Sequence, residues 1–396
     1  MSWEVCNPGG GVHTVLSTSA EHAHRVYGDE LLYVGPDLWA ERTAQSGFLE
    51  DNHQPPLAAL AAERDIPVRM GRWDVPGRPA VALVNFGQLL ERKDEILGDL
   101  WHEFGVDSIR AGWDTVERIL FGYAVGAFIE VHYHATVRPR ARRAVAHFHQ
   151  WQSACGILRL SATTPEIATV YTPHGTAVGR GLATAGIALE DADPKVHGLA
   201  AEASLERAAA ERAAVVTEVS DHAAEEATRV LGRRPEFVTP NGYARVGWPS
   251  GERTTEVRAA LLRAAERFLG SPLQPDTRIA LCSGRYEFRN KGFDLVIQAL
   301  GKLLRRDPAP SRRLVCCFFV PASQTGRRRE VERRLRTSEL AGEPAGICTH
   351  NLAHPEEDPI LNACRAAELE NNVDDGVHVI FVPVLLDGRD PVFPFS

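Results

Sequence analysis

A chain of 396 residues is too long for one ordinary core and long enough for two domains. Its composition, 44% hydrophobic and 24% charged, is that of a globular protein and argues against long disorder. A formal net charge of -8 speaks against a broad nucleic-acid or acidic-membrane surface; a neutral or locally bound anionic ligand fits better.

The seven cysteines are odd in number and form no CxxC pair, and most lie in apolar runs such as that around Cys316-Cys317. Buried free thiols in a reducing compartment are the simplest reading. Met1-Ser2-Trp3-Glu4 lacks the basic and apolar regions of a signal peptide, and no apolar run approaches membrane-spanning length. The expected location is the cytoplasm.

Short β-rich runs alternate with longer helical patterns, as in a parallel sheet covered by helices. The expected strands are Trp3–Cys6, Leu31–Gly35, Ala80–Phe86, Ala144–Phe148, Ala168–Tyr171, Val215–Val219 and Phe237–Thr239. Helices are expected at Thr115–Glu130, Ala201–Arg212 and His222–Leu231, the last capped near Ser220 and stopped by Gly232. These place one α/β domain at 1–244. Residues 245–275, with a charged helix at Thr254–Leu269, read as the crossing to a second domain at 276–396. There the expected elements are strand Arg278–Cys282, helix Gly292–Arg306, strand Leu314–Val320, helix Ile360–Leu369 and strand Val377–Val384. The Arg-rich stretch 326–337 reads as a solvated helix face. About three strands is short for a doubly wound half, which usually has about five or six. Asp390–Ser396 reads as a loop entering a further element, so the second domain is expected to be truncated.

Four motifs carry candidate chemistry. Asn7-Pro8-Gly9-Gly10-Gly11 would let backbone N–H groups approach a ligand at a helix start, although a plain tight turn explains it equally well. His147 and His149 share a strand face, as His132 and His134 would. Such pairs can bind a metal, but packed or hydrogen-bonding histidines at a strand end is the simpler reading, with no further ligands at suitable spacing. Tyr171-Thr172-Pro173-His174-Gly175-Thr176, reaching Arg180, falls between a strand and a helix, where α/β ligands bind. Most telling is Ser283-Gly284-Arg285-Tyr286-Glu287-Phe288-Arg289-Asn290-Lys291-Gly292. Its Arg285 and Lys291, six residues apart beside a helix start, suit a diphosphate leaving group without a metal ion.

In order along the chain, several segments resemble the glycogen synthases of the animal and fungal type. They are Trp3-Glu4-Val5-Cys6-Asn7 with Gly10-Gly11, Gly71-Arg72-Trp73, Gly98-Asp99-Leu100-Trp101, Ala146-His147-Phe148-His149, His174 to Arg180, Glu206-Arg207-Ala208-Ala209-Ala210, Pro240-Asn241-Gly242, Gly284-Arg285-Tyr286-Glu287, Asn290-Lys291-Gly292 and Thr349-His350-Asn351. The resemblance implies an α/β GT-B fold, two Rossmann-like domains facing a cleft. It implies transfer of glucose from UDP-glucose to the non-reducing end of an α-1,4-glucan, with retention and with neither metal nor other cofactor. It casts His174, Arg285 and Lys291 as catalytic, and Gly10, Gly11, His149, Arg180 and Asn241 as substrate-binding. Glycogen and a nucleotide sugar would be the partners, with no nucleic acid or membrane, and the family's subunit contacts suggest a homo-oligomer. Gln150 stands where the family has Glu, and Glu211 and Ala214 where it has His and Asp. The segment from Pro321 to Thr349 is short, and a family loop bearing two glutamates has no counterpart. The alternative reading is a truncated, non-catalytic homologue that binds glucan or nucleotide sugar.

Overall fold

The computed structural model describes residues 1–8, 10–38, 47–53, 55–187, 189, 198–242, 250–307, 312–337 and 340–384. The chain divides into an N-terminal unit, Met1–Arg245, and a C-terminal unit, Val246–Ser396. Gly9 and Asp390–Ser396 lie outside the described residues.

The N-terminal unit runs α1 (Gly11–Tyr27), β1 (Leu32–Pro36), β2 (Phe48–Glu50), α2 (Pro56–Ala62), β3 (Val68–Trp73), β4 (Ala80–Val84), α3 (Lys93–Phe104) and α4 (Trp113–His132). It continues with β5 (Val145–His149), α5 (Cys155–Thr163), β6 (Ala168–Thr172), α6 (Ala177–Ala185), α7 (Ala200–Arg212), β7 (Val215–Glu218), α8 (Asp221–Leu231) and β8 (Phe237–Val238). One sheet has the order β1-β4-β3-β2 and the other β5-β6-β7-β8. The second is wholly parallel, whereas β3 runs antiparallel to both its neighbours. Met1 and Ser2 join the two sheets. The Met1 carbonyl accepts from His149 N at 3.0 Å, and Ser2 N donates to Val34 O at 3.1 Å.

That seam corrects the expected strand at Trp3–Cys6. The pairing falls on Met1-Ser2, and the following residues turn, with Val5 N donating to Ser2 O and Asn7 N to Glu4 O. The turn brings the Glu4 carboxylate back over the start of α1, where it accepts from His13 N at 2.6 Å. Behind the sheets α4 is apolar nearly all round, as a central helix must be. Its Gly122 and Gly126 allow close packing on α5, since a Cβ at either would press on Cys155 or Gly156.

The C-terminal unit runs α9 (Gly251–Leu269), β9 (Arg278–Ser283), α10 (Phe293–Arg306), β10 (Leu314–Phe319), β11 (Gln324–Arg327), α11 (Arg329–Arg336), β12 (His350–Leu352), α12 (Pro359–Ala366) and β13 (Val377–Val382). Its parallel sheet has the order β13-β10-β9, one half of a doubly wound arrangement. Alternate residues of each strand feed two cores. Cys316, Phe318, Val379 and Phe381 pack with α10 and α12. Val315, Cys317, Ile380 and Val382 pack with α9. The charged helix within 245–275 thus belongs to this unit's core. The Arg-rich stretch is only partly a solvated face, because Arg334 is buried, ion-paired with Glu330, and Arg328 donates to the Cys348 carbonyl at 3.1 Å. None of the seven cysteines is in a disulfide, and six are buried. Among the described residues no helix is long and apolar enough to cross a membrane.

Candidate active site

In the N-terminal unit the candidate groups gather where β5, β6 and β7 end. Along β5 the side chains alternate, so His147 and His149 emerge on one face with ring centroids 4.0 Å apart. The β6–α6 turn carries His174. Its Nε2 lies 2.9 Å from His149 Nδ1, a hydrogen bond between imidazoles. His147 Nε2 meets Thr172 Oγ1 at 2.8 Å, and Thr172 in turn meets Thr217 Oγ1 at 2.6 Å. The packed, hydrogen-bonded reading of the β5 pair therefore describes them.

His174 and Gly175 have consecutive left-handed backbones, with φ of +59° and +78°. Thr176 then caps α6, its Oγ1 accepting from Gly179 N at 2.9 Å. Three carboxylates grip this turn from other elements. Glu218, at the end of β7, accepts from Gly175 N at 3.1 and 3.2 Å and from Val219 N at 3.0 Å. Glu226 on α8 accepts from Thr176 N and Oγ1, both at 2.7 Å. Glu206 on α7 accepts from Ala177 N at 2.8 Å and from the Tyr171 hydroxyl at 3.0 Å. The backbone N–H groups at the start of α6 are consequently already paired within the protein itself.

Arg180, one turn into α6, donates through Nη1 to the carbonyls of His174 and Gly175 at 3.3 and 3.1 Å. Burial is the main cause of every titration shift in the cluster. It holds His147 down to about 3 and His174 to about 4, Arg180 adding to the latter, and His149 well below its ordinary value. The three imidazoles are neutral near pH 7. Burial raises Glu206 and Glu218 to about 7.

Gly10 flanks α1, where a Cβ would come within 2.4 Å of Glu4 Oε1, so a side chain there would have to displace the carboxylate that caps the helix. A Cβ at Gly11, the first helical residue, would meet nothing within 4 Å. Asn241 is exposed beyond the C-terminal end of β8.

In the C-terminal unit, the loop after β9 holds Arg285 and Lys291 between Gly284 and Gly292. Both glycines have positive φ, +156° and +68°. The loop is anchored from beneath. Tyr286 donates its hydroxyl to Asp358 Oδ2 at 2.6 Å and accepts from Ile360 N at 3.2 Å, tying it to the start of α12. Phe288 packs against the core. With the aromatics turned inward, the cations face outward. Arg285 is about half exposed and ion-paired with Glu287 at 2.9 Å, and the Lys291 stem runs alongside Gly284.

Thus His149, His174 and Arg180 form one hydrogen-bonded group, and Arg285 and Lys291 share one loop. Sequence reasoning missed Glu218, Glu226 and Asp358, and named Tyr286 in its motif without giving it a role. A carboxylate closing an apolar strand, as in Val215-Val216-Thr217-Glu218, was the available signal for the first.

The family model for glycogen synthase matches residues 1–339 and 328–396. A glycogen (starch) synthase of Neurospora crassa is 26% identical over 99% of this chain and 65% of its own length. One of Caenorhabditis elegans is 26% identical over 99% of this chain and 68% of its own. The chain spans about two thirds of the length of these relatives. The catalytic domain of starch synthase IV from Arabidopsis thaliana, bound to ADP and acarbose, matches 91% of this chain and 74% of its own at 13% identity and a TM-score of 0.46. With one family's model running from the first residue to the last, the chain belongs to the glycogen synthase family.

Proposed function

We propose that the protein is a retaining glucosyltransferase that moves glucose from UDP-glucose to the non-reducing end of an α-1,4-glucan. Family membership supplies the reaction class, and the loop of Arg285 and Lys291 is the observation that carries the chemistry. Two cations on a glycine-bounded loop at the C-terminal end of a parallel strand suit a diphosphate. In the reaction the bond between the glucosyl carbon and the UDP oxygen breaks, and the electron pair leaves with UDP. The acceptor 4-hydroxyl forms the new bond on the same face, and its proton passes to the departing phosphate. Stabilising that leaving group is the main demand, and Arg285 and Lys291 would answer it with fixed charge in place of a metal ion, while Arg180, a donor-binding residue by family resemblance, holds the His174 turn. His174, held against His149, would face the glucosyl carbon as a neutral donor or acceptor. Gly10 and Gly11 would let backbone approach the donor, and Asn241 would contribute a further polar contact. Cysteines outside disulfides suit a reducing cytoplasm.

Incubation of the purified protein with labelled UDP-glucose and glycogen tests this. Label is expected in the polymer, released by an α-1,4-specific glucosidase. Donor binding by calorimetry without any label in the polymer would instead establish a non-catalytic binder.

A further inference from the structure

We propose that Glu218 is a positioning residue for His174, fixing the turn that aims its imidazole; this rests on the reading of His174 as a group beside the reacting sugar. The case begins with the backbone. Two successive left-handed residues, the first of them not glycine, persist only where the surroundings over-determine them. The restraints here can be named. Arg180 holds the carbonyl side, donating to His174 O and Gly175 O. Glu226 holds Thr176, the residue that follows. The peptide N–H of Gly175, directly after His174, is held by Glu218, whose two oxygens lie 3.1 and 3.2 Å away.

Glu218 reaches that N–H from β7, which pairs with β6, the strand that feeds the turn. The sheet itself therefore sets the position of the residue after His174. The far end of the same imidazole is set by His149, on the other neighbour of β6. His174 is thus aimed by strands on both sides of its own.

The environment indicates that this carboxylate serves a purpose beyond filling space. Glu218 is fully buried, and burial raises its carboxyl to about 7, so an apolar residue would be less costly at the end of this strand. What an apolar residue cannot do is accept from Gly175 N and Val219 N.

The test is Glu218→Gln, which replaces one of the accepting oxygens with an NH2 group aimed at backbone donors, with Glu218→Asp as the conservative partner. In nitrogen-resolved NMR of the histidine rings, Glu218→Gln is expected to shift the His149 and His174 resonances and to speed exchange of their shared ring proton about tenfold or more. In the transferase assay kcat is expected to fall about tenfold or more, with KM for UDP-glucose changed less than about threefold. Glu218→Asp should restore part of both. Unshifted ring resonances in folded Glu218→Gln would overturn the proposal. If Glu218→Gln does not fold, Glu218→Asp decides in the same way, with wild-type rings and wild-type kcat overturning it. The ring spectra are read without turnover. A wild-type protein inactive as a transferase, yet with rings that respond to Glu218→Gln, would therefore refute the glucosyltransferase and leave the positioning role standing.

Discussion

The β6–α6 turn of the N-terminal unit and the β9–α10 loop of the C-terminal unit both join a parallel strand to a helix, yet they treat charge in opposite ways. At the first, two of the three carboxylates are buried and all three are answered by backbone donors, and the imidazoles are kept neutral by burial. At the second, aromatic side chains take the interior and the cations are left at the surface. The first arrangement fixes geometry and does little for an incoming anion. The second supplies charge and relies on two interior anchors for its geometry. Strand–turn–helix position alone therefore does not say which task a turn performs; the burial of its charged residues does.

The sharpest break of that contrast is removal of a surface cation. Arg285→Ala or Lys291→Ala should weaken UDP-glucose binding roughly 10- to 100-fold, the range for a charge-assisted hydrogen bond, with glycogen binding and melting temperature nearly unchanged. Calorimetry with each ligand separates the outcomes, and equal loss of both would mean that the loop is only structural.

A pH experiment sharpens the buried side. His147, His149 and His174 stay neutral in the fold, whereas the unfolded chain protonates them below about 6.5. Their contribution to stability is complete above that pH and is lost as pH falls below it. Glu206 has the opposite sign. Its folded carboxyl, raised to about 7, keeps a proton that the unfolded chain releases above about 4.5, so its contribution falls as pH rises between those values. Glu206→Gln removes the buried charge. Urea unfolding should find the variant more stable than the wild type by roughly 1–3 kcal/mol at pH 8, with the difference nearly gone at pH 4.5. A variant less stable at pH 8 would show that the ionised form is needed by Ala177 N and Tyr171.

The smallest effect is expected from Tyr286→Phe, which deletes the hydroxyl bridging Asp358 and Ile360 N. Loss of about 1 kcal/mol of loop anchoring should raise the UDP-glucose dissociation constant by about threefold to tenfold and leave both cations in place. An unchanged constant would mean that Phe288 alone holds the loop.

These three sites differ in how far sequence reveals them. Strands such as 145–149 and 314–319, and the paired cations of the glycine-bounded loop, are legible because apolar runs, glycines and charges are local signals. The turn at Trp3–Cys6 is not, because its apolar residues look like a strand until Met1-Ser2 takes the pairing. Strands β2 and β3 are missed for a related reason. They are antiparallel, and Arg69, Gly71 and Arg72 interrupt the apolar pattern of β3. The grip of Glu218 on Gly175 spans 43 residues, and that of Tyr286 on Asp358 spans 72. Nothing local announces either partner, since both depend on which strands become neighbours.

The left-handed backbone at His174 also bears on how this position can drift. Conformation filters the amino-acid alphabet there before chemistry does, favouring glycine, asparagine, aspartate and histidine and disfavouring β-branched residues. A descendant released from the need for an imidazole would therefore most readily carry asparagine or glycine at 174 while keeping the same turn. Loss of the reaction and loss of the fold would leave different marks on the same codon.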